Sequence, residues 1–194
     1  MSKILRFRVN IKGLDDKIYR LIEISEKSTI ADFAYTILAS FNSLAYHLYY
    51  FHYNEDTYDS MVCYEKDKGL LDATTKVLKD IKFTKEDVIS MDYDSGNPVY
   101  FEIQYVGHKD MKKGYYNVYP YINDGDGNGM LDDVSGEQLV DIVNDIDVKG
   151  ESRYNYPSGY QRDDVYDYRS YSLSLDNYQL KERIKLIKYG YEGK

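Results

Sequence analysis

The sequence predicts an α+β fold, a twisted and largely antiparallel sheet with about three packed helices, in a single domain over residues 1–194. Three observations carry this expectation. Short runs of two-residue apolar period recur between clusters of turn formers. Three segments carry a helical period instead. An apolar share of 43% over 194 residues supplies enough material for one hydrophobic core.

Residues 4–12 alternate, with Leu5, Phe7, Val9 and Ile11 on one face and Arg6, Arg8, Asn10 and Lys12 on the other, the period of a half-buried strand. Gly13-Leu14-Asp15-Asp16 reads as a turn, and residues 18–24 as the return strand of a hairpin. Thr29 followed by Asp32 makes a capping box, and Ile30, Phe33, Ala34, Ile37, Leu38 and Phe41 continue at helical spacing, predicting a helix over 29–41. The aromatic run 46–53 predicts a strand closed by the polar Asn54-Glu55-Asp56-Thr57. Residues 60–87 are mixed, with a short helix expected near 75–81.

Two further strands, 88–93 and 99–106, flank the turn-forming Asp94-Ser95-Gly96-Asn97-Pro98. Residues 115–122 predict another strand, leading into an Asp/Gly loop over 123–136. Leu139, Val140, Ile142, Val143 and Ile146 then mark a helix over 136–147. Residues 148–170 follow neither period and read as an irregular, acidic, Tyr-rich excursion. A last helix is expected over 176–188, capped by Asp176 and using Leu180, Ile184 and Ile187.

Composition narrows the function classes. The longest apolar runs fall far short of the roughly 20 residues that cross a bilayer, so no membrane span or signal peptide is expected. A lone cysteine, Cys63, forms no intramolecular disulfide and no zinc ring, which points to a reducing compartment, the cytoplasm. The net charge of -8 is local: residues 123–170 hold 12 Asp and Glu against 4 Lys and Arg, and the rest of the chain balances. That balance argues against a sequence-independent grip on nucleic acid, although Arg6, Arg8 and Lys12, and Lys181, Arg183, Lys185 and Lys188, form short basic rows.

Several short strings together resemble the plasmid pRiA4b open-reading-frame-three-like family, whose members travel with plasmids and transposons. They are the opening strand with Gly13 and Ile18-Tyr19-Arg20; Thr29-Ile30-Ala31-Asp32; His47-Leu48-Tyr49-Tyr50-Phe51; and Tyr93-Asp94-Ser95-Gly96-Asn97. Tyr119-Pro120 before the Asp/Gly loop, Leu131-Asp132-Asp133-Val134-Ser135-Gly136 and Leu175-Asp176-Asn177 complete the set. The resemblance implies an α+β fold and no established reaction. Ser95, Val99 and Phe101 stand where the family commonly has an aromatic, a Trp and a His, and Met130 and Ser135 lie where it commonly has cysteines. No thiolate metal site carries over.

Twenty-four tyrosines and no tryptophan make a Tyr/Asp surface the preferred functional feature, because Tyr offers contact area with few rotors and carboxylates steer basic partners. The expectation is a non-enzymatic interaction module of a plasmid, transposon or phage that contacts a protein partner, basic or nucleic-acid-binding. The contacts would come from Tyr154, Tyr156, Asp163, Asp164, Tyr166, Asp167 and Tyr168. An inhibitor of a nucleic-acid-handling defence protein such as a CRISPR effector is a special case.

Two alternatives stay open. One is a hydrolytic or accessory enzyme with a site around His47, Tyr93 and Asp94. The other is a calcium-stabilised domain, since Asp124, Asp126, Asn128, Met130 and Asp132 fall at the ligand spacing of an EF-hand loop with Gly129 at its turn. Ser135 stands at the twelfth position, where a bidentate Glu belongs, so the segment reads first as an Asp/Gly turn.

Overall fold

The computed structural model describes residues 2–60, 69–112, 114–115, 117–150 and 166–193. Among them one sheet of eight strands is built from β1 (Lys3–Ile11), β2 (Tyr19–Ser25), β3 (Tyr49–Tyr53), β4 (Asp56–Asp59), β5 (Leu71–Asp72), β6 (Ile89–Tyr93), β7 (Val99–Asp110) and β8 (Tyr121–Asp126). The order across the sheet is β5-β4-β3-β6-β7-β1-β2-β8, with every pairing antiparallel except β4 with β5. Three helices accompany it: α1 (Ile30–Ser40), α2 (Gly136–Lys149) and α3 (Leu173–Glu192). The expected α+β class and the largely antiparallel sheet are therefore present.

β1 buries Leu5, Phe7, Val9 and Ile11, the predicted face. The opposite face carries cross-strand charge, with Arg6 paired to Glu23 in register and Lys109 Nζ 2.6 Å from the same carboxylate. α1 starts where its box predicts: Thr29 Oγ1 accepts from the Asp32 N–H, and the Asp32 carboxylate accepts from the Thr29 N–H. Apart from Asp32 the helix is buried all round, because the sheet covers one side and α3 the other. Phe33 meets Phe7 at 4.5 Å and Phe51 at 5.8 Å on the sheet side, while Tyr35 stacks on Tyr191 of α3 at 5.4 Å. α2 likewise starts at a capping box, between Ser135 and Gln138, and buries Leu139, Ile142, Val143 and Ile146.

Four expectations shift. The strand expected over 115–122 lies at Tyr121–Asp126, inside the presumed Asp/Gly loop, because β2 has a free edge there and backbone pairing overrides local propensity. α3 begins three residues before its expected start, capped by Ser172, and Asp176 is buried within it. The short helix expected near 75–81 is a three-ten helix at Leu78–Asp80, and the short β5 precedes it. The polar run after β3 proceeds into β4.

The outer edge of β8 is occupied by a side chain of α3. The Ile122 N–H donates to Asn177 Oδ1 at 2.9 Å and Asn177 Nδ2 donates to the Ile122 carbonyl at 2.8 Å, satisfying backbone groups that an open edge would expose. No described helix is long and apolar enough to cross a membrane.

Candidate functional site

Antiparallel pairing of β3 with β6 sets Tyr49 opposite Tyr93, so the loop entering β3 lies beside the loop leaving β6. That register brings His47 next to Asp94. The third contributor is the turn before α2, where the Gly136 N–H donates to the Pro98 carbonyl at 2.9 Å and holds Asp133 over the same spot. His47 Nε2 lies 3.0 Å from Asp133 Oδ1 and 3.4 Å from Asp94 Oδ2, and one ligand atom from each residue falls within 4.8 Å of the other two. Among the described residues this is the grouping of three or more His, Cys, Asp or Glu ligand atoms with such spacing.

Each member is fixed by its surroundings. The His47 carbonyl accepts from the Tyr191 hydroxyl, and its N–H points to the Tyr93 hydroxyl at 3.4 Å. Its ring lies against Tyr46, with centroids 4.4 Å apart. Asp133 Oδ2 accepts from the Tyr46 hydroxyl at 2.5 Å. Asp94 Oδ1 accepts from the Gly96 N–H at 2.9 Å, whereas Oδ2 has no hydrogen-bond partner among the described residues, and the residue is only 4% exposed. The 3.4 Å approach of His47 is an ion-pair distance without hydrogen-bonding geometry.

The backbone around this centre is held in uncommon conformations. Asp94 and Asp133 both have left-handed φ, 59° and 62°, as do Asn42 and Ala45 on the neighbouring loop, 61° and 56°. Asp and Asn tolerate this region, but an alanine there costs on the order of 1 kcal/mol, which surrounding contacts must offset. Asp132 supplies much of that restraint, accepting from Ser43 Oγ at 3.0 Å, the Leu44 N–H at 2.9 Å and the Tyr93 hydroxyl at 3.3 Å.

The electrostatics follow from these contacts. Burial raises the Asp132 carboxyl above its ordinary range despite its three donors. The Tyr46 hydroxyl and the His47 ring hold Asp133 below it. Burial, with Asp132 nearby, pushes Tyr93 up to about 12, and partial burial with Asp133 raises Tyr46 as well. Both phenols therefore remain neutral donors at physiological pH.

The residues at the EF-hand spacing each have other partners among the described residues. Asp124 and Asp126 sit on β8, each accepting from the N–H of its own successor, Gly125 and Gly127. Asn128 Oδ1 accepts from Asn42 Nδ2 at 3.0 Å, the Met130 N–H bonds the Phe41 carbonyl, and Asp132 faces the loop at 43–44. Asp124, Asp126 and Asp132 do not bring three carboxylate oxygens within 4.8 Å of one another. The glycines of this segment have a packing cause instead: a Cβ on Gly127 would lie 2.1 Å from the Lys17 carbonyl oxygen, and one on Gly129 2.0 Å from that of Phe41.

Of the expected partner contacts, Tyr154, Tyr156, Asp163 and Asp164 lie outside the described residues. Tyr166 is in the core and not on the surface, its hydroxyl 2.7 Å from the carbonyls of both Asn128 and Gly129. Asp167 is paired with Arg169, and the Tyr168 hydroxyl donates to Asp147 at 2.5 Å. Three cations of α3 are also paired within the chain, Arg183 with Asp176, Lys185 with Glu182 and Lys188 with Asp32. Asp133 and Tyr46 are the site residues that sequence reasoning missed; the Asp132-Asp133 doublet was visible, but nothing local tied it to His47.

The chain belongs to the plasmid pRiA4b ORF-3-like protein family, whose pattern matches residues 3–188. No curated protein matches it. Among solved structures it is similar to the crystal structure of MM3350, a protein of unknown function from Methanosarcina mazei Go1. The likeness is 23% identity with a TM-score of 0.65, covering 76% of this chain and 83% of that one. At that identity the likeness speaks for the fold alone.

Proposed function

We propose that this family member holds a divalent transition-metal ion between His47, Asp94 and Asp133 and uses it for metal-assisted hydrolysis. The observation that carries the reading is Asp94 Oδ2, buried, without a hydrogen-bond partner among the described residues, and directed at the same ring nitrogen that Asp133 engages. One ring N–H serves one carboxylate well. A second buried carboxylate left beside it is costly unless a cation completes the set.

The spacing supports this. Ligand atoms about 2.0–2.2 Å from a shared ion in a tetrahedral array lie roughly 3.3–3.6 Å apart; His47 is 3.4 Å from Asp94 and 3.0 Å from Asp133, and the two carboxylate oxygens lie within 4.8 Å of each other. One imidazole and two carboxylates suit zinc, manganese or iron, and three protein ligands leave room for water, as hydrolytic centres require. His47 and Asp133 keep 30% and 37% side-chain exposure, so the outer side of the centre is open to solvent. The interaction reading, with its anti-defence special case, draws on residues 151–165 outside the described part, while Tyr166 is committed to the core.

Isothermal titration of the metal-free full chain with zinc and manganese tests the reading. One ion per chain is expected, with affinity lowered at least tenfold in Asp94→Asn and in His47→Gln, and unchanged in Asp126→Asn. Metal-dependent cleavage of chromogenic ester and phosphodiester reporters should be lost in the same two variants. Absence of binding at millimolar metal, or binding indifferent to Asp94→Asn, refutes the centre; binding without turnover on any reporter refutes the hydrolytic role.

A further inference from the structure

We infer that the outward face of α3 is a self-association surface, on which a second copy of this chain packs its own α3 antiparallel about a two-fold axis at Glu182. The inward face of the helix is fully used, with Leu180 and Ile187 buried, Asp176 paired to Arg20 and Arg183, and Tyr191 stacked on Tyr35. The opposite face carries four large exposed side chains, Leu175 at 53%, Tyr178 at 84%, Leu186 at 72% and Tyr189 at 66%. At 3.6 residues per turn these four and Glu182 fall within about 80° of arc, one straight stripe along a helix about 30 Å long.

The occupant follows from the order of the stripe. Leu175 and Tyr189 stand seven residues either side of Glu182, and Tyr178 and Leu186 stand four residues either side of it. The stripe is thus a palindrome in position and complementary in size. In an antiparallel pair centred on Glu182, each Leu175 meets a Tyr189 of the second copy and each Tyr178 meets a Leu186. Every contact is then a ring against a branched aliphatic, as an isologous two-fold interface requires. A parallel pair would instead set Tyr on Tyr and Leu on Leu.

At the axis the two Glu182 carboxylates would approach each other, and each already has a Lys185 ammonium at 2.6 Å, so two acids and two bases meet and the local charge cancels. The four side chains expose roughly 500 Å² per copy, at the upper end of what a lone monomer leaves uncovered. Two copies would bury about 1,000 Å² together, near the lower bound of a specific interface, so the dimer should be weak and concentration-dependent.

Sedimentation velocity of the full chain, from low micromolar to submillimolar concentration, should show a monomer passing to a dimer. In Tyr178→Glu/Leu186→Glu the midpoint should move up at least tenfold with an unchanged circular dichroism spectrum. Cysteine placement reads the geometry: in a Cys63→Ser background, Glu182→Cys should cross-link to itself on mild oxidation, whereas Leu175→Cys should not. A monomer throughout the range, a dimer indifferent to the double Glu variant, or equal cross-linking at both positions overturns the proposal. None of these readouts depends on metal at His47.

Discussion

Replacing Arg20 by methionine removes a cation that four elements share. Its side chain is fully buried on β2, where Nε donates to the Ser40 carbonyl at the end of α1 at 2.9 Å. Nη1 donates to the carbonyls of Tyr19 and Asp126 at 2.8 and 2.7 Å, while Nη2 is buried without a hydrogen-bond partner among the described residues. Asp176 of α3 lies 3.3 Å away, and the Tyr171 ring covers the guanidinium at 4.0 Å. Burial works against the charge, and Asp176 and Tyr171 counter it.

Breaking a buried ion pair costs about 3–5 kcal/mol when the surviving charge has no other partner. Here Asp176 keeps Arg183 at 2.8 Å and the Tyr171 hydroxyl at 3.2 Å, which lowers the cost, while three carbonyls lose a donor, which raises it. The net expectation is about 3–4 kcal/mol, or roughly 10 °C in Tm for a chain of this length. Urea unfolding followed by circular dichroism measures it, and Asp176→Asn with the double variant completes a cycle whose coupling should be about 1–3 kcal/mol. A loss below about 1 kcal/mol, or strictly additive single costs, would refute the placement of Arg20 as the shared cation.

Two further expectations concern stability. At Asp32 burial opposes ionisation, but the Lys188 ammonium at 2.8 Å and the Thr29 N–H outweigh it and hold the carboxyl below its ordinary value. The lowered value means that the contribution is complete above the unfolded Asp range near pH 4 and disappears as pH falls through the folded value. The stability gap between wild type and Asp32→Asn should therefore be constant at neutral pH and close in acid, and a gap that widens in acid would contradict it. Tyr166→Phe leaves the ring and deletes the hydroxyl shared by the Asn128 and Gly129 carbonyls, so it should cost about 1–2 kcal/mol in the same unfolding assay; a neutral result would return Tyr166 to the surface.

The elements that depend on short-range chemistry were legible in the sequence. The alternation of β1, the Thr29 box of α1, the turn at Asp94 to Pro98 and the apolar face of α2 are all written within a few residues, because a strand face repeats every second residue and a cap acts within one turn. So was the likeness to the family, since its strings follow the same local elements. Tyr93, Asp94 and His47 could be named together only as an alternative, because no local period links them.

Only the tertiary structure decided the rest. The Asp/Gly segment matched a calcium loop in spacing, yet pairing with β2 carries Asp124 to Asp126 into β8, and Gly127 and Gly129 lie where a Cβ would meet the Lys17 and Phe41 carbonyls. Tyr166 looked like surface until the carbonyls of that segment claimed its hydroxyl. Asp133 joined His47 across 86 residues because β3 lies beside β6 and the turn before α2 is tied to Pro98. Such contacts are set by strand order and register, which depend on how the whole apolar surface is buried at once, and no window of neighbouring residues encodes that.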